Sequence, residues 1–413
     1  MSEKPSDAGG AIDPIAASGA KRKTQPSRLL FFLAGVCAFS VANIYYNQPL
    51  LVLFAHSFGT DVGAASVIAM AVQLAYAAGL VLLVPLGDIL SRRTLVLALL
   101  LANAVSSALA ACAGSLPLLV AANIAIGLSS VSAQVIIPAV SLMSAPAQRG
   151  KAVGTVMSGL VAGILMARTL SGYVGHAAGW RAMYWLAAAI DAALLLAVAV
   201  RFPRNERQPA ATPYPALLRS LGQLFLGERE LRLACLCGAL MFASFSALWG
   251  SMAYLLSLPP YRYSSDVAGA FGLAGVAGMF ATPLLGRLAD RLGARSVVLL
   301  GGLACAAAYA LVGAAPQQLG ALVAGIVVLD LGGRAGLLGN QLRALALSEA
   351  ARSRLNTVFM ACYFLGGALG TRAGAYLGMR YGWHGVALMG LATSAAVIAL
   401  NGDAAGALRR GLS

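Results

Sequence analysis

The chain has 413 residues, of which 60% are apolar and 10% charged, against about 25% charged in an average soluble domain. So few charges cannot cover the surface of a soluble globule. With a mean hydropathy of +0.81, the composition excludes a soluble enzyme, a disordered chain and a small disulfide scaffold. The net charge is +15, from 29 Lys and Arg against 14 Asp and Glu. Such an excess fits either a nucleic-acid surface or the cytoplasmic loops of a membrane protein, and the positions of the charges decide between them.

Residues 1–28 are polar and end in Lys21, Arg22, Lys23 and Arg28. They read as a disordered cytoplasmic tail. The apolar run that follows is longer than a signal-peptide core of about 7–15 residues, so it reads as a retained first span. Apolar stretches of membrane-crossing length, roughly 20 residues, then recur. They cover 29–54, 63–86, 94–113, 117–144, 152–174, 181–202, 232–256, 267–286, 296–314, 318–342, 356–378 and 384–401. This predicts an all-α membrane protein of twelve transmembrane helices. One long polar break, 203–231, divides a first six-helix bundle at 29–202 from a second at 232–401, and 402–413 form a cytoplasmic tail.

Charge placement fixes the expected orientation. With the N-terminus in the cytoplasm, Arg181, Arg262 and Arg380 fall outside and Arg168, Arg334 and Arg372 fall within spans. The remaining 23 of the 29 basic residues then lie on the cytoplasmic side. The positive-inside bias therefore predicts a multi-pass protein of the cytoplasmic (inner) membrane with both termini inside, and it leaves no soluble basic face for nucleic acid. The six cysteines lie in apolar stretches without a C-x-x-C or zinc spacing, and the three histidines stand near the ends of apolar runs. They read as packing residues, with no metal and no cofactor.

The loop after the second span reads Gly87-Asp88-Ile89-Leu90-Ser91-Arg92-Arg93. The loop after the eighth reads Gly286-Arg287-Leu288-Ala289-Asp290-Arg291-Leu292-Gly293-Ala294-Arg295. Aligning Asp88 with Asp290 places Arg93 on Arg295, which indicates internal duplication. A small residue permits the tight turn. The aspartate can accept hydrogen bonds from a helix N-terminus. The arginines Arg92, Arg93, Arg291 and Arg295 hold the turn at the inner surface and can pair with acids that come and go, as a gate requires.

On these features the chain resembles the major facilitator superfamily. The second loop matches that family's G-x-x-x-D-R-x-G-x-[RK] pattern in full. In the first, Val84, Ile89 and Ser91 depart from it. The fifth span resembles the efflux, antiporter-type branch, whose G-x8-G-x3-G-P-x2-G-G pattern falls here on Gly154, Gly163, Ala167, Arg168, Ser171 and Gly172. Ala167-Arg168 replaces Gly-Pro, and two readings stand for Arg168: it sets coupling or substrate preference, or it anchors the helix near its outer end. In the fourth span Asn123 stands where the family often has a proton-relay arginine four residues before Gly127.

Charges within spans are costly and mark functional sites by default. Asp330 and Arg334 are spaced i, i+4 on one face of the tenth span, and two readings stand: a cavity-facing substrate or proton pair, with Asp330 the foremost candidate for protonation, or a permanently neutralised pair that locks helices together. Asp191 reads as structural, paired with Arg168 or at the lipid edge, and Arg372 as snorkelling outward. In the first span Asn43, Tyr46 and Asn47 share a helical face that lipid would penalise, and Pro49 should bend the span near its outer end. Gln73, Gln134, Trp249, Asn340 and Asn356 extend the expected polar pathway.

These residues point to a secondary transporter of a small molecule, working by alternating access and coupled to protons. The resemblance favours export of a drug-like or sugar-like compound. An importer or exchanger of an anionic metabolite is the alternative, and a non-transporting membrane sensor or scaffold represents another class. An intramembrane enzyme is disfavoured, because Ser158 has no His or Lys at matching depth to activate it. No G-x-x-x-x-G-K-[ST] loop occurs, so energy should come from a gradient. A complete pathway in one chain makes a monomer in the lipid bilayer the expectation.

Overall fold

The structure, a computed structural model, describes residues 27–145, 148–203 and 213–402. It is almost wholly helical. Among the described residues nine helices are long and apolar enough to cross a membrane, and two shorter apolar helices stand at the start. The tail before Ser27 and the last residues after Gly402 lie outside the described residues.

The first span is interrupted. Helix α1 (Ser27–Ala42) ends in turns at Asn43–Asn47, a short 3-10 turn covers Gln48–Leu50, and α2 covers Leu51–Phe58. The Asn47 amide donates to the Ile44 carbonyl at 3.1 Å, an alternative to the helical ladder that Asn offers readily. Pro49 brings no backbone N–H. The break therefore begins at Asn43, deeper in the chain than the bend expected at Pro49.

Helix α3 (Val62–Leu82) follows, with Asp61 capping it through Ala64 N–H at 2.7 Å. Helix α4 (Arg92–Ala111) is capped by Ser91. The fourth span is also broken, into α5 (Leu116–Ser129) and α6 (Ser132–Met143). Ser129 and Ser130 there donate to the Ala125 and Ile126 carbonyls, each at 2.7 Å. Helices α7 (Arg149–Ala178) and α8 (Trp180–Arg201) complete this part. The polar break is not all linker: it holds α9 (Tyr214–Gly227), whose leucines pack against Leu231, Leu355 and Phe359.

Helix α10 (Arg229–Ser257) precedes a span made of α11 (Ser265–Ala270), a turn at Phe271–Gly275, and α12 (Val276–Leu292). Helices α13 (Ala294–Ala314) and α14 (Leu319–Leu345) follow. Helix α15 (Arg352–Leu400) is broken at Gly382, whose φ of +59° only glycine adopts without strain.

One large core draws almost entirely on residues 33–202, with Phe242 and Phe364 added, and a second on residues 237–397. The closest helix contacts recur in both. Gly159 and Gly163 of α7 sit against the backbone of Ala34 and Ala38 on α1, and Gly366 and Gly370 of α15 against Ala239 and Ala243 on α10. Where no hydrophobic force separates helix from lipid, such small-residue spacing lets backbones approach and gain dispersion contacts.

Candidate functional site

Four segments converge on Arg168 of α7. The broken stretch of the first span supplies Tyr45 and Gln48, α10 supplies Phe245 and Trp249, and the Phe271–Gly275 turn leads to Asp330 and Arg334 of α14. Arg168 is 2% exposed. Its Nε donates to Gln48 Oε1 at 2.7 Å. Its guanidinium carbon lies 4.2 Å from the Trp249 ring centroid, 4.8 Å from Tyr45 and 5.8 Å from Phe245. These are cation–π distances, which strengthen where water is excluded. Trp249 and Phe245 share a face of α10 at i, i+4, and the break at Asn43–Asn47 turns Tyr45 and Gln48 toward α7.

The turn at Phe271–Gly275 ties the two charged groups together. A Cβ placed on Gly272 would stand 3.2 Å from Arg168 Cβ, and one on Gly275 would stand 3.4 Å from Asp330 Oδ1. Asp330 Oδ2 accepts from Arg334 Nε at 2.6 Å, and Arg334 Nη2 also donates to the Gly275 carbonyl at 3.3 Å. The i, i+4 pair thus forms within α14, next to the turn that packs against Arg168. Tyr363 of α15 stacks on Phe242 at 4.1 Å and borders the same region.

Asn43 lies elsewhere. Its amide donates to both carboxylate oxygens of Asp191, at 3.0 and 3.2 Å. This corrects the expected Asp191–Arg168 pairing: each has a neutral amide partner instead. It also corrects the helical face drawn through Asn43, Tyr46 and Asn47, because the segment is not helical there and the 3.6-residue spacing no longer holds. Tyr45 and Gln48, not emphasised by that spacing, are the ones that meet Arg168. Asn123, where the family's arginine is absent, accepts from Tyr184 O–H at 3.0 Å.

The remaining expected residues separate toward two ends of the molecule. Helix α3 runs between them, about 30 Å at 1.5 Å per residue. At its first turn Arg372 donates to the Gly63 carbonyl at 2.8 Å, and Gly63 N–H lies 3.1 Å from Met379 Sδ. Arg372 therefore does not snorkel outward but binds α3. Gln73 donates to Thr371 at 2.9 Å, and Ser265 donates to the Gly172 carbonyl at 3.2 Å. Together these join the helices before residue 203 to those after 228.

At the other end of α3 a cleft is lined by Asp88, Arg92, Gln134, Leu217, Leu221, Arg354 and Thr357. Gln134 also reaches Tyr76 at 3.5 Å. Arg93 bonds the Ala199 carbonyl. In the second copy of the loop, Asp290 and Arg291 stand at the end of α12. Arg295 instead reaches Glu230 at 2.5 Å, and Glu230 also takes Arg343 at 2.8 Å. Asn340 accepts from Arg343 at 2.9 Å, and Asn356 accepts from Gln341 at 2.7 Å. Asn340 and Asn356 thus belong to polar networks away from Arg168. Glu230 and Arg343 were missed by the sequence, since their loop positions read as ordinary inner-surface charges. Among the described residues no cluster of His, Cys, Asp or Glu could hold a metal ion.

The family model described as Major Facilitator Superfamily matches residues 30–285 and 234–402. The chain belongs to the major facilitator superfamily. It is 38% identical over 362 residues to the uncharacterized transporter YgaY of Escherichia coli O157:H7, covering 88% of this chain and 92% of that protein. It is 36% identical over 363 residues to the protein named "Probable transporter SCO4007" of Streptomyces coelicolor, covering 87% and 84%. Its fold is similar to that of a bacterial homologue of the human lysosomal transporter Spinster, with a TM-score of 0.74 at 14% identity over 94% of this chain and 99% of that one. This member of the superfamily is a multi-pass membrane transport protein and not an enzyme.

Proposed function

We propose that the protein is a proton-coupled secondary transporter that exports a small drug-like or sugar-like compound across the cytoplasmic membrane by alternating access. It works as a monomer, with both termini in the cytoplasm. Twelve spans form two pseudo-symmetric six-helix halves, 29–202 and 232–401, and the half-span interruptions at Asn43–Asn47 and Phe271–Gly275 carry the solute site between them. The solute pathway runs past Tyr45, Gln48, Arg168, Trp249, Asp330 and Arg334. The paired loops at Asp88 and Asp290 act at the inner gate.

One observation carries this reading. The buried polar and aromatic cluster around Arg168 and Asp330 is built from both parts of the chain. Contacts between those parts tighten at the Arg372–Gly63 end, while the cleft lies at the Asp88 end. That asymmetry is expected of a rocking transporter closed on one side. The recurrence of the α7-on-α1 contact as α15-on-α10 supports the two-half reading, and the small-residue fifth span supports export.

Cells overproducing the protein should accumulate less of at least one fluorescent probe from a panel holding ethidium, a fluorescent sugar and fluorescein, and a protonophore should restore accumulation. Accumulation equal to that of vector-only cells for every probe would overturn the reading.

A further inference from the structure

The cluster around Arg168 holds two buried donors that nothing among the described residues uses. Among the described residues Arg168 Nη2 and Trp249 Nε1 have no hydrogen-bond partner, although both side chains are at least nine-tenths buried. They line the same small cavity, with Gln48, Pro49, Met252, Ala253 and Ala268. A buried donor left without an acceptor costs about 1–3 kcal/mol, more when it is charged. Two of them on residues that line one cavity call for an acceptor from outside the chain.

Charge points the same way. Arg168 forms no ion pair among the described residues, whereas the neighbouring Asp330 is engaged by Arg334. The region thus holds two guanidinium groups against one carboxylate, a net charge of one positive. Aromatic faces at 4.2 and 4.8 Å hold the guanidinium plane. Gln48 occupies Nε at 2.7 Å. The neighbouring donor of the fork, Nη2, has no partner among the described residues, and a planar fork fits an oxyanion better than a neutral hydroxyl.

Resting on the reading of this cluster as the solute site, we propose that the transported compound is an organic anion whose carboxylate or comparable oxyanion is received by Arg168 Nη2 and Trp249 Nε1. The cavity itself admits about one oxygen-sized group. The headgroup enters it, and the body of the solute extends toward Tyr363 and the Asp330–Arg334 pair. The rings of Tyr45, Phe245 and Trp249 favour a solute with an apolar or aromatic body next to the anionic group.

The test uses the full-length protein in detergent and shape-matched probes that differ in charge: benzoate, benzamide and benzamidine, with the naphthalene analogues of each. Binding is read by the shift in melting temperature and by tryptophan fluorescence. At least one acid should bind about tenfold tighter than its amide, with the amidine weakest, and Arg168→Gln should abolish that preference. Trp249→Phe keeps an aromatic face but removes the indole N–H, so it should weaken the acid by about threefold to tenfold and the amide, whose neutral carbonyl is the weaker acceptor, by less. If no acid binds better than its amide, or if Trp249→Phe weakens acid and amide alike, the proposal falls. Protonophore-sensitive export confined to cationic or neutral probes would overturn the anion assignment and leave the transport reading in place. Acid-selective binding without any such transport would do the reverse.

Discussion

Two aspartates lie deep in this protein, and their surroundings differ in kind. Asp330 is paired with Arg334 at 2.6 Å, and that arginine is still 18% exposed at its side chain. Asp191 is 1% exposed and is held by the Asn43 amide alone, at 3.0 and 3.2 Å. Asp330 sits where elements from both parts of the chain meet, beside a turn that also touches Arg168. Asp191 is sealed between α8 and the broken first span. Depth in the membrane alone therefore does not mark a coupling residue. A carboxylate that exchanges partners needs a cation beside it; Asp330 has a partly exposed one in Arg334, and Asp191 faces a neutral amide.

The largest effect should come from Asp330→Asn. The amide cannot take up or release a proton, so gradient-driven transport should be abolished while solute exchange across proteoliposomes remains measurable. Unchanged gradient-driven transport would remove Asp330 from the coupling role and collapse the contrast with Asp191. Next in size is Arg334→Gln, which leaves a buried carboxylate without its cation at a cost of roughly 3–5 kcal/mol. The apparent melting temperature should fall clearly. The double variant Asp330→Asn with Arg334→Gln should recover most of that loss, because the unpaired carboxylate is gone. Equal losses in the single and the double variant would mean that Arg334 matters for packing rather than for the pair.

How much of this was legible in the sequence depends on what kind of regularity each feature obeys. The helical spans were legible because apolar length is a local property, and the Asp330–Arg334 pair because i, i+4 spacing survives inside an unbroken helix such as α14. The partners of Asn43 and Arg168 were not. Reading Asn43, Tyr46 and Asn47 as one face assumed a continuous helix, and the turns at Asn43–Asn47 rotate Tyr45 and Gln48 onto Arg168 instead. Arg168 itself was visible as a departure at the pattern's proline position, although its aromatic enclosure comes from Tyr45 of the broken first span and from α10, some eighty residues away. The Glu230–Arg295–Arg343 network joins the ends of three helices. Nothing in the spacing of those residues announces it, and only the fold brings them within reach.

The smallest effects belong to the sealed site, and their order is the sharper test of the comparison. Asn43→Ala takes away the one amide that satisfies Asp191 and leaves a buried carboxyl without a donor, which should cost about 1–3 kcal/mol and lower the apparent melting temperature without changing solute selectivity. Asp191→Asn keeps the shape, removes a group that can become charged, and can still bond Asn43, since the new amide offers a donor to the Asn43 carbonyl oxygen and an acceptor to its amide. Stability should change less than in Asn43→Ala, and gradient-driven transport should persist. The mutation at the partner is therefore expected to be worse than the mutation at the acid, the opposite of what a proton carrier would give. Loss of gradient-driven transport in Asp191→Asn, with exchange retained, would place a second coupling carboxylate at the break in the first span.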